Sequence, residues 1–287
     1  MCPQVSDVKA LYDQQGYLTS LPILSPEELQ QARDAFADLE KKFGEDYTAY
    51  SLHNVHMEYD WVMALAKHPK VLESITAVLG PDVLMLDSRF ICKYPVSTQD
   101  SSKKQDSNGI ISDHRESETE KESTNQEPDE SDPGLPYVAW HQDMKYWGLD
   151  GGPVVSVWLA LDDSLEDNGA LQVIPGTHCS GLLPHRQAKR SGNMLSVNQE
   201  IPEELVEKEN ALLCPLLAGQ MSIHDGLLVH ASDPNTSQRR RCGFVIRYVP
   251  TVAYPIQDPE RPRHFPATAL VSGVDKYGHF ANQKPEM

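Results

Sequence analysis

Hydrophobic positions in the first third of the chain recur with the spacing of amphipathic helices. Ser25 can cap a helix that begins at Pro26, and Glu28 completes a capping box. A later helical run ends at Gly80, where glycine can adopt a left-handed cap. The pattern predicts helices over Pro26–Phe43, Asp60–Ala66 and Pro69–Leu79. We expect these N-terminal helices to support a sheet rather than to carry a site.

From Val83 onward, short runs rich in valine, isoleucine and aromatic residues replace the helical pattern. Turn signals such as Asp167-Asn168-Gly169 and Pro175-Gly176 separate them, which is typical of antiparallel strands. The predicted strands cover Val83–Tyr94, Val154–Leu161, Leu171–Ile174, Gln220–His224 and Cys242–Val249. The expected fold is therefore mainly β, a double-sheet jelly roll with flanking N-terminal α-helices.

One polar segment interrupts this pattern. Residues 97–134 contain 11 acidic and 4 basic side chains, and Ile110 and Ile111 are their only apolar residues. Such a segment buries too little surface to offset its ordering entropy, so we expect a disordered, solvated insertion, with a flexible lid or phosphorylation-controlled arm as the alternative. The 287 residues are then one domain, 1–287, whose first 80 residues or so give helical support.

Charge and targeting signals restrict the partners. The net charge of −17 disfavours nucleic acid and anionic membranes, which require clustered lysine and arginine. We find no signal peptide, no run approaching the ~20 apolar residues of a membrane span, and no C-terminal peroxisomal signal, so a cytoplasmic location is expected. The oligomeric state is left open.

Candidate metal chemistry lies in two short stretches. His141 and Asp143 are two residues apart, a spacing that places both side chains on one face of a strand, and His230 follows almost ninety residues later. Two imidazoles and one carboxylate leave open coordination positions, which suits ferrous iron and oxygen activation. A closed zinc site would require four protein ligands, and the five cysteines form no C-x-x-C pair.

Longer stretches around these residues resemble the phytanoyl-CoA dioxygenase family of iron(II)- and 2-oxoglutarate-dependent oxygenases. They read WHQDMKYWGL, VSVWLALDDSLEDNGALQVIPGTH and HDGLLVHASDPNTSQRRRCGF, and the likeness covers most of the chain outside the acidic segment. The resemblance implies a double-stranded β-helix, which is a cupin-like jelly roll. It also implies a dioxygenase that hydroxylates an unactivated C–H bond of a small molecule and releases succinate and CO2. Its cofactors would be Fe(II) and 2-oxoglutarate, with ascorbate as a supporting reductant.

The resemblance also implies roles for individual residues. The iron ligands would be His141, Asp143 and His230. The 2-oxoglutarate pocket would contain Arg241, Ser232, Trp158 and Lys93. Arg241 would bind the distal carboxylate, because a planar guanidinium can donate two parallel hydrogen bonds to it. Arg239 and Arg240 are rivals. Family spacing favours Arg241, and on a strand Arg239 would share its face while Arg240 would point away, so both rivals are otherwise expected as solvated surface cations.

Substrate contacts are less defined. Tyr146 and Trp147 follow the metal motif on the expected pocket rim, where the alternative is a packed aromatic pair. Arg247 lies on the face of Arg241 by alternation and could bind an anionic substrate or form a structural ion pair. His224 could face the pocket, although the following Asp225-Gly226 turn interrupts the strand period. Small polar and lipid-like acyl substrates both stay open. A catalytically degenerate jelly-roll sensor or scaffold is the alternative function.

Overall fold

The computed structural model describes residues 5–95, 134–257 and 263–280. The acidic segment 97–134 lies outside the described residues apart from Gly134. The helices are α1 (Val5–Gln15), α2 (Pro26–Phe43), α3 (Glu45–Tyr50), α4 (Asp60–Ala66), α5 (Pro69–Leu79) and α6 (Met144–Trp147). The strands are β1 (Tyr17–Pro22), β2 (Val83–Lys93), β3 (Val138–His141), β4 (Leu149–Asp150), β5 (Val155–Ala160), β6 (Leu171–Val173), β7 (Arg186–Gln187), β8 (Gln199–Glu200), β9 (Leu212–Cys214), β10 (Gln220–Asp225), β11 (His230–Ser232), β12 (Arg241–Pro250), β13 (Tyr254–Pro255) and β14 (Ala269–Ser272).

The three predicted helices are confirmed as α2, α4 and α5. The capping box of α2 forms as predicted, because Ser25 Oγ accepts from the Glu28 N–H at 3.2 Å and Glu28 Oε2 accepts from the Ser25 N–H at 2.8 Å. Gly80 has the positive φ of 88° that favours glycine, but its ψ of −178° differs from the left-handed helical cap that we predicted. Among the described residues, no helix is both long and apolar enough to cross a bilayer.

Two antiparallel sheets dominate the architecture, which confirms a mainly β protein with flanking helices. The six-stranded sheet has the order β1-β10-β5-β12-β2-β14, and the four-stranded sheet has the order β3-β11-β6-β9. Strands β13 and β4, and β7 and β8, form two further pairs. Neighbouring strands are mostly distant in the chain, so long connections build each sheet.

Alternation along the central strands separates the core from the site. On β12, Phe244, Ile246 and Tyr248 lie in the main apolar core, together with buried side chains of α2, α4 and α5. Tyr248 Oη donates to the Ala66 carbonyl at 2.7 Å, which ties the strand to α4. The other face of β12 presents Arg241 and Arg247 to a cavity. One face of the six-stranded sheet therefore packs on the helices, while the opposite face lines a cavity.

Candidate metal centre

Three buried side chains, His141, Asp143 and His230, offer one ligand atom each, and these atoms all lie within 4.8 Å of one another. Asp143 Oδ1 is 3.4 Å from His141 Nε2 and 4.0 Å from His230 Nε2. The two imidazole centroids are 4.1 Å apart. A single cation placed between them could contact all three, as the spacing of the residues in the sequence suggests.

Strand pairing brings the histidines together, whereas a turn positions the carboxylate. His230 on β11 is the cross-strand partner of His141 on β3. β3 ends at His141, and Asp143 has the helical angles φ −60° and ψ −36° at the start of α6. The expectation that His141 and Asp143 share a strand face is therefore wrong, because the chain turns between them. Ser156 Oγ donates to Asp143 Oδ2 at 2.7 Å and fixes the carboxylate.

Backbone carbonyls set the orientation of both histidine rings. His141 Nδ1 donates to the Ala139 carbonyl at 2.8 Å, and His230 Nδ1 donates to the Leu228 carbonyl at 2.9 Å. Each Nε2 is thereby directed toward Asp143, and it is the nitrogen through which a histidine held in this way binds a metal. Burial, followed by the neighbouring imidazoles of His141 and His224, holds the pKa of His230 well below its usual value and keeps this ring neutral.

Asp143 is buried yet held in its charged form. Burial opposes ionisation, but the neighbouring groups, with the charge of Arg247 first among them, outweigh it, so the pKa of Asp143 lies well below its usual value. Arg247 Nε is 3.9 Å from Asp143 Oδ2, and Arg247 Nη1 is 3.7 Å from Asp87 Oδ1. The site thus presents an anionic oxygen beside two nitrogen lone pairs.

A third imidazole, that of His224, borders the same site. Its Nε2 is 3.8 Å from Asp143 Oδ2, and its ring centroid is 4.5 Å from that of His230. β10 continues to Asp225, so the turn does not break the strand period before His224, and the side chain faces the cavity. Neither ring nitrogen has a hydrogen-bond partner among the described residues. His224 is therefore available to a bound ligand.

Two buried cations, Lys93 and Arg241, lie on neighbouring strands as cross-strand partners. They are 1% and 3% exposed, and within the described parts of the chain no carboxylate forms an ion pair with either. Burial, followed by Arg241, holds the pKa of Lys93 well below its usual value, and burial lowers the pKa of Arg241 to about 10. Two adjacent buried charges of the same sign form a pocket for an anion.

The neighbours of this cation pair include the other two residues expected in the pocket. Lys93 Nζ donates to Ser232 Oγ at 2.6 Å and to the Asp233 carbonyl at 2.5 Å. The Arg241 guanidinium carbon is 4.9 Å from the centre of the Trp158 ring, and its Nε has no partner among the described residues. A side chain on Gly243 would overlap the Trp158 ring, a packing requirement that our sequence analysis missed.

The rival arginines have partners of their own. Arg239 precedes β12, is half exposed, and donates to both oxygens of Asp167 at 2.7 and 2.8 Å. The expectation that it shares a strand face with Arg241 is therefore wrong. Arg240 is not a solvated cation either, because it is partly buried and forms ion pairs with Asp162 at 2.7 Å and Glu40 at 2.5 Å.

A larger cavity of about 340 Å³ adjoins the triad, with His141 and Asp143 in its wall. Tyr146 and Trp147 line it as an edge-to-face pair with centroids 5.4 Å apart, and Trp147 also packs in a buried apolar cluster. The pair thus lies in the cavity wall, as a pocket rim would, and it is also packed, as the alternative interpretation expected. Arg247 lines the cavity as well, where its charge is matched by Asp87 and Asp143. Arg89 also lines this cavity, and alternation along β2 places it on the same strand face as Lys93, although it was not among the predicted site residues.

Known proteins resemble this chain in sequence. A family model described as Phytanoyl-CoA dioxygenase (PhyH) matches residues 12–243. A probable alpha-ketoglutarate-dependent hypophosphite dioxygenase of Stutzerimonas stutzeri is 22% identical over 218 residues, which cover 76% of this chain and 63% of that protein. An L-proline trans-4-hydroxylase of Streptomyces griseoviridis is 29% identical over 141 residues, covering 42% of this chain and 52% of that protein. The matches thus span roughly half to two thirds of these relatives.

Solved structures show the same fold. The apo non-heme monooxygenase ThoJ aligns with a TM-score of 0.67 at 24% identity, over 94% of this chain and 85% of that chain. CytC3 with Fe(II) and alpha-ketoglutarate aligns with a TM-score of 0.59 at 20% identity, over 96% of this chain and 92% of that chain.

Proposed function

The chain belongs to the phytanoyl-CoA dioxygenase family, and from that premise we propose that it is an Fe(II)- and 2-oxoglutarate-dependent dioxygenase. It would hydroxylate an unactivated C–H bond of a small molecule with dioxygen and release succinate and CO2. One observation carries the proposal, namely a buried His-Asp-His triad beside two buried cations that form no ion pair with any described carboxylate. We also propose that a single jelly-roll domain, a cupin-like double-stranded β-helix, carries this function.

The donor set fits ferrous iron. His141 and His230 donate from Nδ1 to backbone carbonyls, which directs each Nε2 toward the site, and Asp143 presents a charged oxygen. Two nitrogens and one carboxylate suit Fe(II) and leave coordination positions open for other ligands. Iron bound there would supply the activation of dioxygen and the oxidative decarboxylation of 2-oxoglutarate.

The cation pair fits the distal carboxylate of 2-oxoglutarate. Arg241 and Lys93 face the cavity that also contains the triad, and a carboxylate would balance their uncompensated charge. The guanidinium carbon of Arg241 lies over the Trp158 ring, 4.9 Å from its centre. Apolar walls contributed by Ile91, Val245 and their neighbours exclude water, which strengthens each charged contact.

Support for a small polar substrate comes from the relatives, whose names specify hypophosphite and L-proline. A degenerate sensor or scaffold has no need of a complete ligand triad together with an anion pocket. The joint presence of the two therefore supports an enzyme.

Anaerobic titration tests the proposal without knowledge of the substrate. Fe(II) and then 2-oxoglutarate are added to metal-free protein, and we expect the visible charge-transfer band of an iron-bound keto acid. His141→Ala should abolish the band while circular dichroism shows an unchanged fold, because one of three ligands is removed. A folded wild-type protein that gives no band would refute the proposal.

A further inference from the structure

Arg89 is a buried cation in the wall of the larger cavity, on the same face of β2 as Lys93. It is 8% exposed, and its Nε and Nη2 both approach His53 Nδ1, at 3.1 and 2.7 Å. Its guanidinium carbon lies 4.0 Å from the centre of the Tyr50 ring. An imidazole and an aromatic face therefore hold this guanidinium, while its Nη1 has no hydrogen-bond partner among the described residues.

No carboxylate neutralises Arg89 within the described ranges, since none forms an ion pair with it. His53 cannot act as a counter-ion: it carries no negative charge in either form, and it is neutral at pH 7 because burial, then Arg89 and Arg247, lowers its pKa to about 4. The Tyr50 ring offers a cation–π contact, which is weaker than an ion pair. A buried charge without a partner costs free energy, so its presence requires a compensating role.

Two partly buried arginines differ from Arg89 because they form ion pairs. Arg247 lies 3.7 Å from Asp87 and 3.9 Å from Asp143, and Arg240 is paired with Asp162 and Glu40. Asp87, two residues from Arg89 in sequence, attracts both guanidinium groups, but it forms its ion pair with Arg247. Among the described residues, Arg241 is the other buried arginine without an ion pair, and we have assigned its anion to 2-oxoglutarate. Arg263 also lines the larger cavity without an ion pair there, but it is only partly buried and its guanidinium carbon lies 5.8 Å from the centre of the Tyr146 ring.

The placement of Arg89 separates it from the cosubstrate pocket. Arg89 pairs with Val245 across the sheet, while Lys93 pairs with Arg241. Four residues along a strand correspond to about 13 Å, so one carboxylate cannot bridge both positions. Both cavities include His141 and Asp143 in their walls. The metal ligands thus face one cation site in the smaller cavity and another in the larger cavity.

We propose that Arg89 binds an oxyanion of the substrate, a carboxylate or a phosphorus oxyanion, and orients that substrate in the larger cavity. This inference rests on the proposed function, since it assigns the larger cavity to the substrate. A guanidinium suits such groups because its fork donates parallel hydrogen bonds to two oxygens. The cavity of about 340 Å³ lies at the lower end of small-molecule sites, which range from about 300 to 1,000 Å³. The substrate class is therefore a small organic or phosphorus-containing anion.

Probe binding tests the proposal directly. Wild-type protein loaded anaerobically with Fe(II) and saturating 2-oxoglutarate, which fills the Arg241 pocket, is titrated calorimetrically with phosphate, methylphosphonate and butyrate. Butyramide is the uncharged match for butyrate. We expect the wild type to bind at least one of the anions and not the amide. Arg89→Met should weaken that binding about 10- to 100-fold, because one charge-assisted contact is lost.

Two variants and a stability measurement separate binding from a structural role. Arg89→Lys keeps the charge and should restore part of the affinity, whereas Arg239→Met removes an exposed arginine and should bind like wild type. Because Arg89 forms no ion pair within the described part of the chain, Arg89→Met should retain or exceed the melting temperature of the wild type. If Arg89→Met does not fold, Arg89→Lys and the contrast between butyrate and butyramide in wild type still decide the question.

Several outcomes would overturn the proposal. The wild-type protein could bind none of the three anions, or it could bind butyrate and butyramide equally well. The Arg89→Met variant could bind the anions as wild type does, or it could lose affinity for 2-oxoglutarate and not for the probe anions. A missing charge-transfer band would instead count against the proposed function. A separate result would be metal-free protein that binds a probe anion in a way that depends on Arg89 and not on Arg241. That result would support the role of Arg89 even if the proposed function fails.

Discussion

Replacement of Arg241 by methionine is the most direct test of the cosubstrate pocket. Arg241 is 3% exposed, donates through Nη1 to the Gly169 carbonyl, and keeps its Nε without a partner among the described residues. Methionine retains an apolar stem against Trp158 but removes the fork. A bound carboxylate would then lose its contacts with Arg241 while keeping those with Lys93.

The expected magnitude follows from these contacts. A hydrogen bond to a charged group contributes about 1.5 to 3 kcal/mol, which corresponds to an increase of about 10- to 150-fold in the Kd for 2-oxoglutarate. The charge of Arg241 also lowers the pKa of Lys93, so its removal strengthens the remaining cation. This compensation places the expected increase in the lower half of the range, at about 10- to 50-fold.

Anaerobic titration of 2-oxoglutarate into the Fe(II)-loaded variant, followed by the charge-transfer band, measures this Kd. Arg239→Met is the matched control, because that arginine is two residues away and forms an exposed ion pair of about 0 to 1 kcal/mol with Asp167. The Arg241→Met variant should also stay folded, since it loses a buried charge that forms no ion pair with any described residue. A Kd within twofold of wild type for Arg241→Met, or a larger effect of Arg239→Met, would refute our assignment.

Three further predictions follow from the site and its support. Asp143→Gly should abolish both Fe(II) binding and 2-oxoglutarate-dependent succinate formation in a folded protein, and hydroxylation at the wild-type rate would contradict the ligand assignment. Gly243→Ala should displace the Trp158 ring, change tryptophan fluorescence and weaken 2-oxoglutarate binding about tenfold, or 1.4 kcal/mol; an unchanged Kd would show that the ring position is irrelevant. Burial lowers the pKa of His56, so its contribution to the free energy of unfolding should be fully present above a pH of about 6.5. Below that pH the free energy of unfolding should fall by up to about 1.4 kcal/mol per pH unit. Urea denaturation of His56→Gln at pH 5.5 and 7.5 should therefore show a weaker pH dependence than wild type.

Local signals in the sequence were sufficient for several elements. The bounds of α2 follow from its capping box and apolar spacing, both of which depend on residues close together in the chain. The order of strands in the six-stranded sheet could not be predicted in this way, because neighbours such as β2 and β12 lie about 150 residues apart. Pairing of that kind depends on the packing of the whole chain rather than on local patterns.

The fold brings the predicted metal ligands close together, but by a geometry that the sequence did not predict. His141 and Asp143 lie together because of a turn after β3, which the alternation argument did not anticipate. Arg240 was misjudged because its partners Glu40 and Asp162 come from distant segments. Arg89 was not predicted, although alternation along β2 places it on the face of Lys93, because the sequence did not show that Asp87 pairs with Arg247 and that no described carboxylate forms an ion pair with Arg89.

Arg247 connects the candidate metal site with the larger cavity. Its guanidinium lies between Asp143, a proposed metal ligand, and Asp87, which faces the larger cavity. A change in charge on one side alters the attraction that Arg247 exerts on the other, and burial leaves this interaction weakly screened. Occupancy of the larger cavity and affinity at the metal are therefore expected to be thermodynamically linked, and such linkage is reciprocal. Fe(II) should therefore bind with one affinity when the larger cavity is empty and with another when that cavity holds a ligand. The difference between the two affinities would measure the coupling that Arg247 transmits.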